Sequence, residues 1–157
     1  MKTFSQFCEN KQGGSYVAVK YGNVCSNEIV ATCRALGIPN SVMPEDLHTT
    51  IIYSRTELTK YNVPRNVNHV VSGELTPAVF ETSKGKRVLV LKLNDEWFGQ
   101  RHEEIMGANK RATYDFPDFV PHITLSYDLG DFPVPTEFVL EEPLTVVREY
   151  HEELDCD

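Results

Sequence analysis

The amino-acid sequence predicts an α+β fold in which two antiparallel sheets, each with a helix against it, enclose a cleft. Three observations lead there. β-rich runs such as Tyr16–Tyr21 and Arg87–Leu93 are punctuated by only two stretches at helical spacing. The resulting strand–helix–strand order occurs twice at nearly equal length: 32 positions separate Tyr16 from His48, and 34 separate Val88 from His122. Each repeat ends on a histidine followed two residues later by a threonine, in His48-Thr49-Thr50 and His122-Ile123-Thr124.

The elements follow in chain order. Tyr16-Val17-Ala18-Val19-Lys20-Tyr21 is a strand bounded by Gly13-Gly14 and Gly22-Asn23. A helix is expected from about Ser26, as N-cap, to Leu36, with Ile29, Cys33 and Leu36 on one face and Gly37 and Pro39 as the stop. The strand carrying His48 comes next. His69–Leu75 and Ala78–Thr82 flank a Thr-Pro pair and are expected to form a hairpin. Arg87–Leu93 is a strand. Asn94 or Asp95 caps a helix running to about Lys110, with Phe98, His102, Ile105 and Met106 at helical spacing. After the strand carrying His122, Glu137–Leu140 and Leu144–Tyr150 are expected to pair around Glu-Glu-Pro.

The chain has 157 residues, 41% of them apolar, which suits a single domain over 1–157 with approximate repeats at 16–54 and 87–127. No apolar run approaches the roughly 20 residues that span a bilayer. Met1–Phe7 lacks the apolar core of a signal peptide, so a cytoplasmic location is expected. Cys8, Cys25, Cys33 and Cys156 form no Cys-x-x-Cys pair, which argues for free thiols rather than a zinc site. Cys33 is expected in the core. The net charge of −8 argues against general binding to long nucleic acids, though not against a small anionic ligand. The acidic run from Glu141 to the end reads as solvated surface. No obligate protein partner is evident.

The histidine motifs carry the chemistry. On a strand, residues i and i+2 share a face, so His48 projects with Thr50 and His122 with Thr124. Ser126 continues the second face and is expected to line the cleft. Histidine titrates near neutrality, so one imidazole can accept a proton while the other donates one. Two such pairs facing one cleft can cleave a phosphodiester without a metal or other cofactor. Neither motif has the third or fourth ligand that zinc usually requires. His69, His102 and His151 have no hydroxyl at i+2 and read as structural or surface residues; Trp97 reads as helix packing. Arg55, Lys110 and Arg111 flank the motifs and are candidates for offsetting phosphate charge.

These motifs resemble the signature of the 2H phosphoesterase superfamily: two His-x-Thr/Ser motifs on strands of two pseudo-symmetric lobes. The resemblance runs from Tyr16 to about Glu149, and Thr49 departs from it by standing where an apolar residue is usual. The segment Lys11-Gln12-Gly13-Gly14-Ser15-Tyr16-Val17-Ala18-Val19-Lys20 further resembles the bacteriophage anti-CBASS phosphodiesterases. That resemblance implies a metal-independent enzyme cleaving 3′–5′ linkages of cyclic di- and trinucleotides such as 3′,3′-cyclic GMP-AMP. It also implies base contacts from Tyr16, by stacking, and from Glu149, as a hydrogen-bond acceptor. Two alternatives compete: a 2H enzyme processing 2′,3′-cyclic or 2′,5′-linked RNA ends, and a non-catalytic sponge for cyclic nucleotides.

Overall fold

The computed structural model describes residues 13–61, 65–116 and 118–154. Cys8, Cys156, Lys11, Gln12 and the Met1–Phe7 segment lie outside the described residues. The elements are β1 (Gly14–Tyr21), α1 (Asn23–Leu36), a 3-10 turn (Pro44–Asp46), β2 (His48–Ser54), β3 (Arg65–Val70), β4 (Leu75–Glu81), β5 (Arg87–Leu93), α2 (Glu96–Ala108), β6 (His122–Ser126) and β7 (Thr145–Leu154). They form the expected α+β arrangement. One sheet has the order β2-β1-β7-β3 and the other β4-β5-β6, and every pairing is antiparallel.

Both helices obey identifiable end signals. α1 starts three residues before Ser26, because Gly22 takes the cap position and its carbonyl accepts the Ser26 N–H at 3.0 Å. Ser26 is instead buried in the first turn, beside a stripe of Cys25, Ile29, Val30 and Cys33. Leu36, expected on that stripe, is exposed at the last position. Gly37 ends the helix at φ 77, a conformation few side chains tolerate. For α2, Asp95 Oδ1 accepts the Trp97 N–H at 2.8 Å, while Asp95 Oδ2 accepts from the Ser72 N–H at 2.7 Å. His69 Nε2 stands 3.0 Å from the same carboxylate, and its ring stacks on Trp97 at 4.9 Å.

The two expected hairpins do not form. Thr76-Pro77 lies inside β4, and β3 and β4 belong to different sheets. Proline is tolerated there because β4 is an edge strand, with no second neighbour requiring its N–H. The chain crosses between sheets at Gly73, where φ is 86 and an added Cβ would stand 2.2 Å from the Asn94 carbonyl oxygen. Residues 137–140 form no strand either. Just beyond them, the Glu28 carboxylate accepts the N–H groups of Glu141 and Glu142 at 2.6 and 2.9 Å, which satisfies those two donors without a ladder. β7 instead pairs with β1 and β3 on its two sides.

One apolar core joins the sheets, with Val17, Val19, Ile51, Ile52, Leu89, Leu91, Phe98 and Ile123 fully buried. Cys33 lies within it, and burial pushes its thiol up to about 11. His102 joins the core edge; its Nδ1 stands 2.7 Å from the Ile51 carbonyl and its ring stacks on Phe119 at 4.3 Å. The departure at Thr49 is also explained. Its hydroxyl is buried and hydrogen-bonded to the Tyr21 hydroxyl at 2.6 Å. Tyr21→Phe should therefore cost about 1–3 kcal/mol by orphaning a buried hydroxyl. Adding Thr49→Val should recover most of that loss, as urea midpoints of the two variants would report. No helix among the described residues is long and apolar enough to cross a membrane.

Candidate active site

β2 and β6 are edge strands of their sheets and touch one another, which brings the two histidine motifs to one cleft. His48, Thr50, His122 and Thr124 line it together with Tyr16, Lys20, Val42, Asp46, Tyr53, Tyr127, Tyr150 and Glu152. Its volume is about 720 Å³, within the range of small-molecule sites. A second groove of about 660 Å³ runs between residues 71–77 and 136–144. It carries Glu74, Glu137, Glu141 and Glu142, a poor setting for an anion, and none of the motif residues.

The floor of the cleft follows from strand register. Across β2, β1 and β7, Tyr53, Tyr16 and Glu152 form one row, and Thr50, Ala18 and Tyr150 form the next. Ala18 places only a buried methyl group between Thr50 and Tyr150. A third row sets His48 beside Lys20. Tyr16 is largely buried, with its hydroxyl 2.9 Å from Thr50 Oγ1 and its ring edge-on to His48, Tyr53 and Tyr150. Tyr127 lines the cleft with Thr124, so a tyrosine accompanies each motif threonine, and that of Thr50 is hydrogen-bonded to it. Burial pushes the Tyr150 hydroxyl up to about 12, so it stays protonated and able to donate.

The two imidazoles are held alike. His48 Nδ1 lies 2.8 Å from the Asp46 carbonyl and His122 Nδ1 lies 2.7 Å from the Val120 carbonyl. In each case the acceptor is two residues upstream. A carbonyl only accepts, so each Nδ1 carries the proton and Nε2 is left for chemistry. Burial holds both rings below the ordinary histidine range; for His48 the Asp46 carbonyl opposes this, while the charges of Lys20 and His122 add to it. Both shifts favour the neutral imidazole. Among the described residues no group of three or more His, Cys, Asp or Glu side chains is placed to hold a metal.

Two expected cleft residues point elsewhere. Ser126 is fully buried and donates to the Pro39 carbonyl at 2.7 Å. The register slips between Val90↔Thr124 and Leu89↔Ser126, which breaks the alternation that would have kept Ser126 on the face of Thr124. Glu149 lies on the opposite face of β7 from Tyr150, fully buried and bound by Arg101 and Tyr61. Arg55 pairs with Asp115 at 3.0 Å, and neither it, Lys110 nor Arg111 lines the cleft. Lys20, Tyr150 and Glu152 were not singled out from the sequence. Lys20 had a legible signal, since it shares strand parity with Tyr16.

The model of the family described as anti-CBASS protein Acb1 matches residues 13–157. The chain is 38% identical over 160 residues to anti-CBASS protein Acb1 of Yersinia phage phiR1-RT, covering 100% of this chain and 96% of that protein. It is 34% identical over 146 residues to anti-CBASS protein Acb1 of Acinetobacter phage Ac42, covering 92% and 93% of the two. Among solved structures, E. coli LigT in apo form superposes with a TM-score of 0.57 at 13% identity, over 90% of this chain and 87% of that one. The fold is that of the LigT-like 2H phosphoesterases.

Proposed function

The chain belongs to the anti-CBASS Acb1 family, and from that premise we propose that it is a metal-independent phosphodiesterase cleaving 3′–5′ linkages of cyclic di- and trinucleotide immune messengers, such as 3′,3′-cyclic GMP-AMP. In this reading it acts in the cytoplasm of the host bacterium, where a phage uses it to evade CBASS immunity. One observation carries the reading: two imidazoles face a single cleft, each with Nδ1 committed to a carbonyl and each beside a threonine hydroxyl. That constellation supplies an acid and a base without any third group.

The chemistry runs as an internal transfer. One neutral imidazole takes the proton from a ribose 2′-hydroxyl, and that oxygen attacks the adjacent phosphorus. The other ring, protonated in the field of the bound phosphodiester, gives its proton to the departing 5′-oxygen. Thr50 and Thr124 donate hydrogen bonds to the non-bridging oxygens as negative charge builds. A 2′,3′-cyclic phosphate forms first and is then hydrolysed to a 3′-phosphate. Tyr16 and the neighbouring tyrosines offer ring faces and edges for a base, a contact of about 1–3 kcal/mol.

The test incubates the protein in EDTA with a panel of cyclic di- and trinucleotides, linear RNA and a 2′-deoxy cyclic dinucleotide, and separates the products chromatographically. The expected result is multiple-turnover cleavage of the cyclic ribonucleotides and none of the deoxy analogue, which lacks the attacking oxygen. Loss of all turnover on chelation would refute the metal-independent route. Preferential cleavage of linear RNA would favour the RNA-processing alternative. Ligand returned intact from every reaction would mark a sponge.

A further inference from the structure

The two halves of the site share one register. Lys20, Val19 and Ala18 of β1 stand opposite His48, Thr49 and Thr50. Lys92, Leu91 and Val90 of β5 stand opposite His122, Ile123 and Thr124. The register then slips at the same step in both, between Val17 and Ala18 and between Leu89 and Val90. Each histidine is thus faced by a lysine across its strand pair.

The equivalence ends at the side chains. Lys20 lines the cleft, and its ammonium donates to the Glu45 carbonyl at 2.6 Å. The next carbonyl, that of Asp46, holds the His48 ring. Consecutive carbonyls of one turn therefore fix a cation and an imidazole side by side. Lys92 is exposed, does not line the cleft, and lies 6.0 Å from the centroid of Phe80. It is the Phe80 ring that meets His122, edge to face at 4.9 Å. Both histidines meet an aromatic ring edge to face, Tyr16 for His48 and Phe80 for His122, but the cleft places a lysine beside His48 alone.

We propose that Lys20 is a positioning residue that makes the two histidines unequal, so that His48 takes the proton from the 2′-hydroxyl and His122 delivers one to the departing 5′-oxygen. The proposal rests on the phosphodiesterase reading above. An ammonium beside an imidazole disfavours the imidazolium, which keeps that ring a proton acceptor. The charged or titratable groups around the cleft with His48 are Lys20 and Tyr16 from β1, Tyr53 from its own strand, His122 from β6, Tyr127 after it, Tyr150 and Glu152 from β7, and Asp46 from its own turn. Among the charges acting on His48, those of Lys20 and His122 oppose protonation and that of Asp46 favours it. For His122 the influences are burial and the opposing Val120 carbonyl. In the reaction His48 Nε2 accepts the 2′-hydroxyl proton and the O2′–P bond forms. The P–O5′ bond breaks, and its oxygen leaves with the proton from His122 Nε2. Each ring ends in the protonation state the other began with.

The decisive probe is a cyclic dinucleotide whose scissile bridging 5′-oxygen is replaced by sulfur. A thiolate departs without a proton, so loss of the acid is forgiven and loss of the base is not. His122→Ala should cut the sulfur substrate within about tenfold of the wild-type rate while cutting the oxygen substrate about a hundredfold or more slower. His48→Ala should be slow on both, and the reverse pattern would overturn the assignment. The role of Lys20 is read from pH profiles of kcat/KM. Removing its charge raises the pKa of the base, so a higher pH is needed to free it. Lys20→Met should shift the acidic limb to higher pH, while Lys20→Arg and Lys92→Met should leave it in place. An unmoved limb in Lys20→Met, or an equal shift in Lys92→Met, would refute the proposal. Wild-type protein that cuts no substrate at all would bring down the phosphodiesterase reading itself, whereas active wild-type protein with the wrong variant pattern brings down only the role of Lys20.

Discussion

Alanine at His48 or at His122 should lower turnover of a cyclic dinucleotide by about 10²–10⁴-fold, the range for losing one positioned proton-transfer group. The two losses should not add. Both proton transfers serve one bond exchange, so the double variant should be little slower than the slower single variant. Stability should change little, because each ring is only half-buried and its Nδ1 partner is a carbonyl in an exposed setting that water can satisfy. Steady-state rates measured alongside thermal unfolding would separate the two effects. A single variant that is fully folded and within tenfold of the wild-type rate would remove that histidine from the chemistry. Equal binding by wild-type and variant proteins, with cleavage only by the wild type, would exclude the sponge.

Period-two parity is why the motif residues were legible in the sequence and their surroundings less so. His48 with Thr50, and His122 with Thr124, needed only alternation over three residues, and the structure brings all four to one cleft. Ser126 needed alternation over five, and the register slip beside Thr124 turned it inward. For β7 the sequence offers no anchor for parity: Glu149, Tyr150 and Glu152 are consecutive or nearly so, and only pairing with Ala18 and Tyr16 decides which face the cleft. The failed hairpins have a similar cause. A Thr-Pro pair signals a turn locally, but an edge strand accommodates the proline, and edge status is set by strands far away in sequence. The α1 boundary was missed because Gly22 caps with backbone alone, leaving no side-chain signature.

The other large effect is on stability and concerns the face of β7 turned away from the cleft. Glu149 accepts from Arg101 Nε at 2.7 Å and from Arg101 Nη2 at 2.7 Å, and also from the Tyr61 hydroxyl at 2.5 Å. Its side chain is 1% exposed and that of Arg101 15%. Removing one partner leaves a charge buried without its counterpart, so Arg101→Met or Glu149→Ala should cost about 3–5 kcal/mol. For a chain of this length that is a fall of roughly 10 °C in Tm. The Arg101 variant should suffer more, because the carboxylate it strands is the more deeply buried of the two. Replacing both, as Arg101→Met with Glu149→Met, removes both charges and keeps most of the volume, so it should be more stable than either single variant. Denaturant unfolding of the four proteins would give the order directly. A double variant no more stable than Arg101→Met would mean that the cost lies in lost packing and not in the stranded charge. The pair also anchors the strand that carries Tyr150 and Glu152 into the cleft. The single variants should therefore raise KM for a cyclic nucleotide before they lower kcat, since the histidines sit on β2 and β6 and keep their own carbonyl partners.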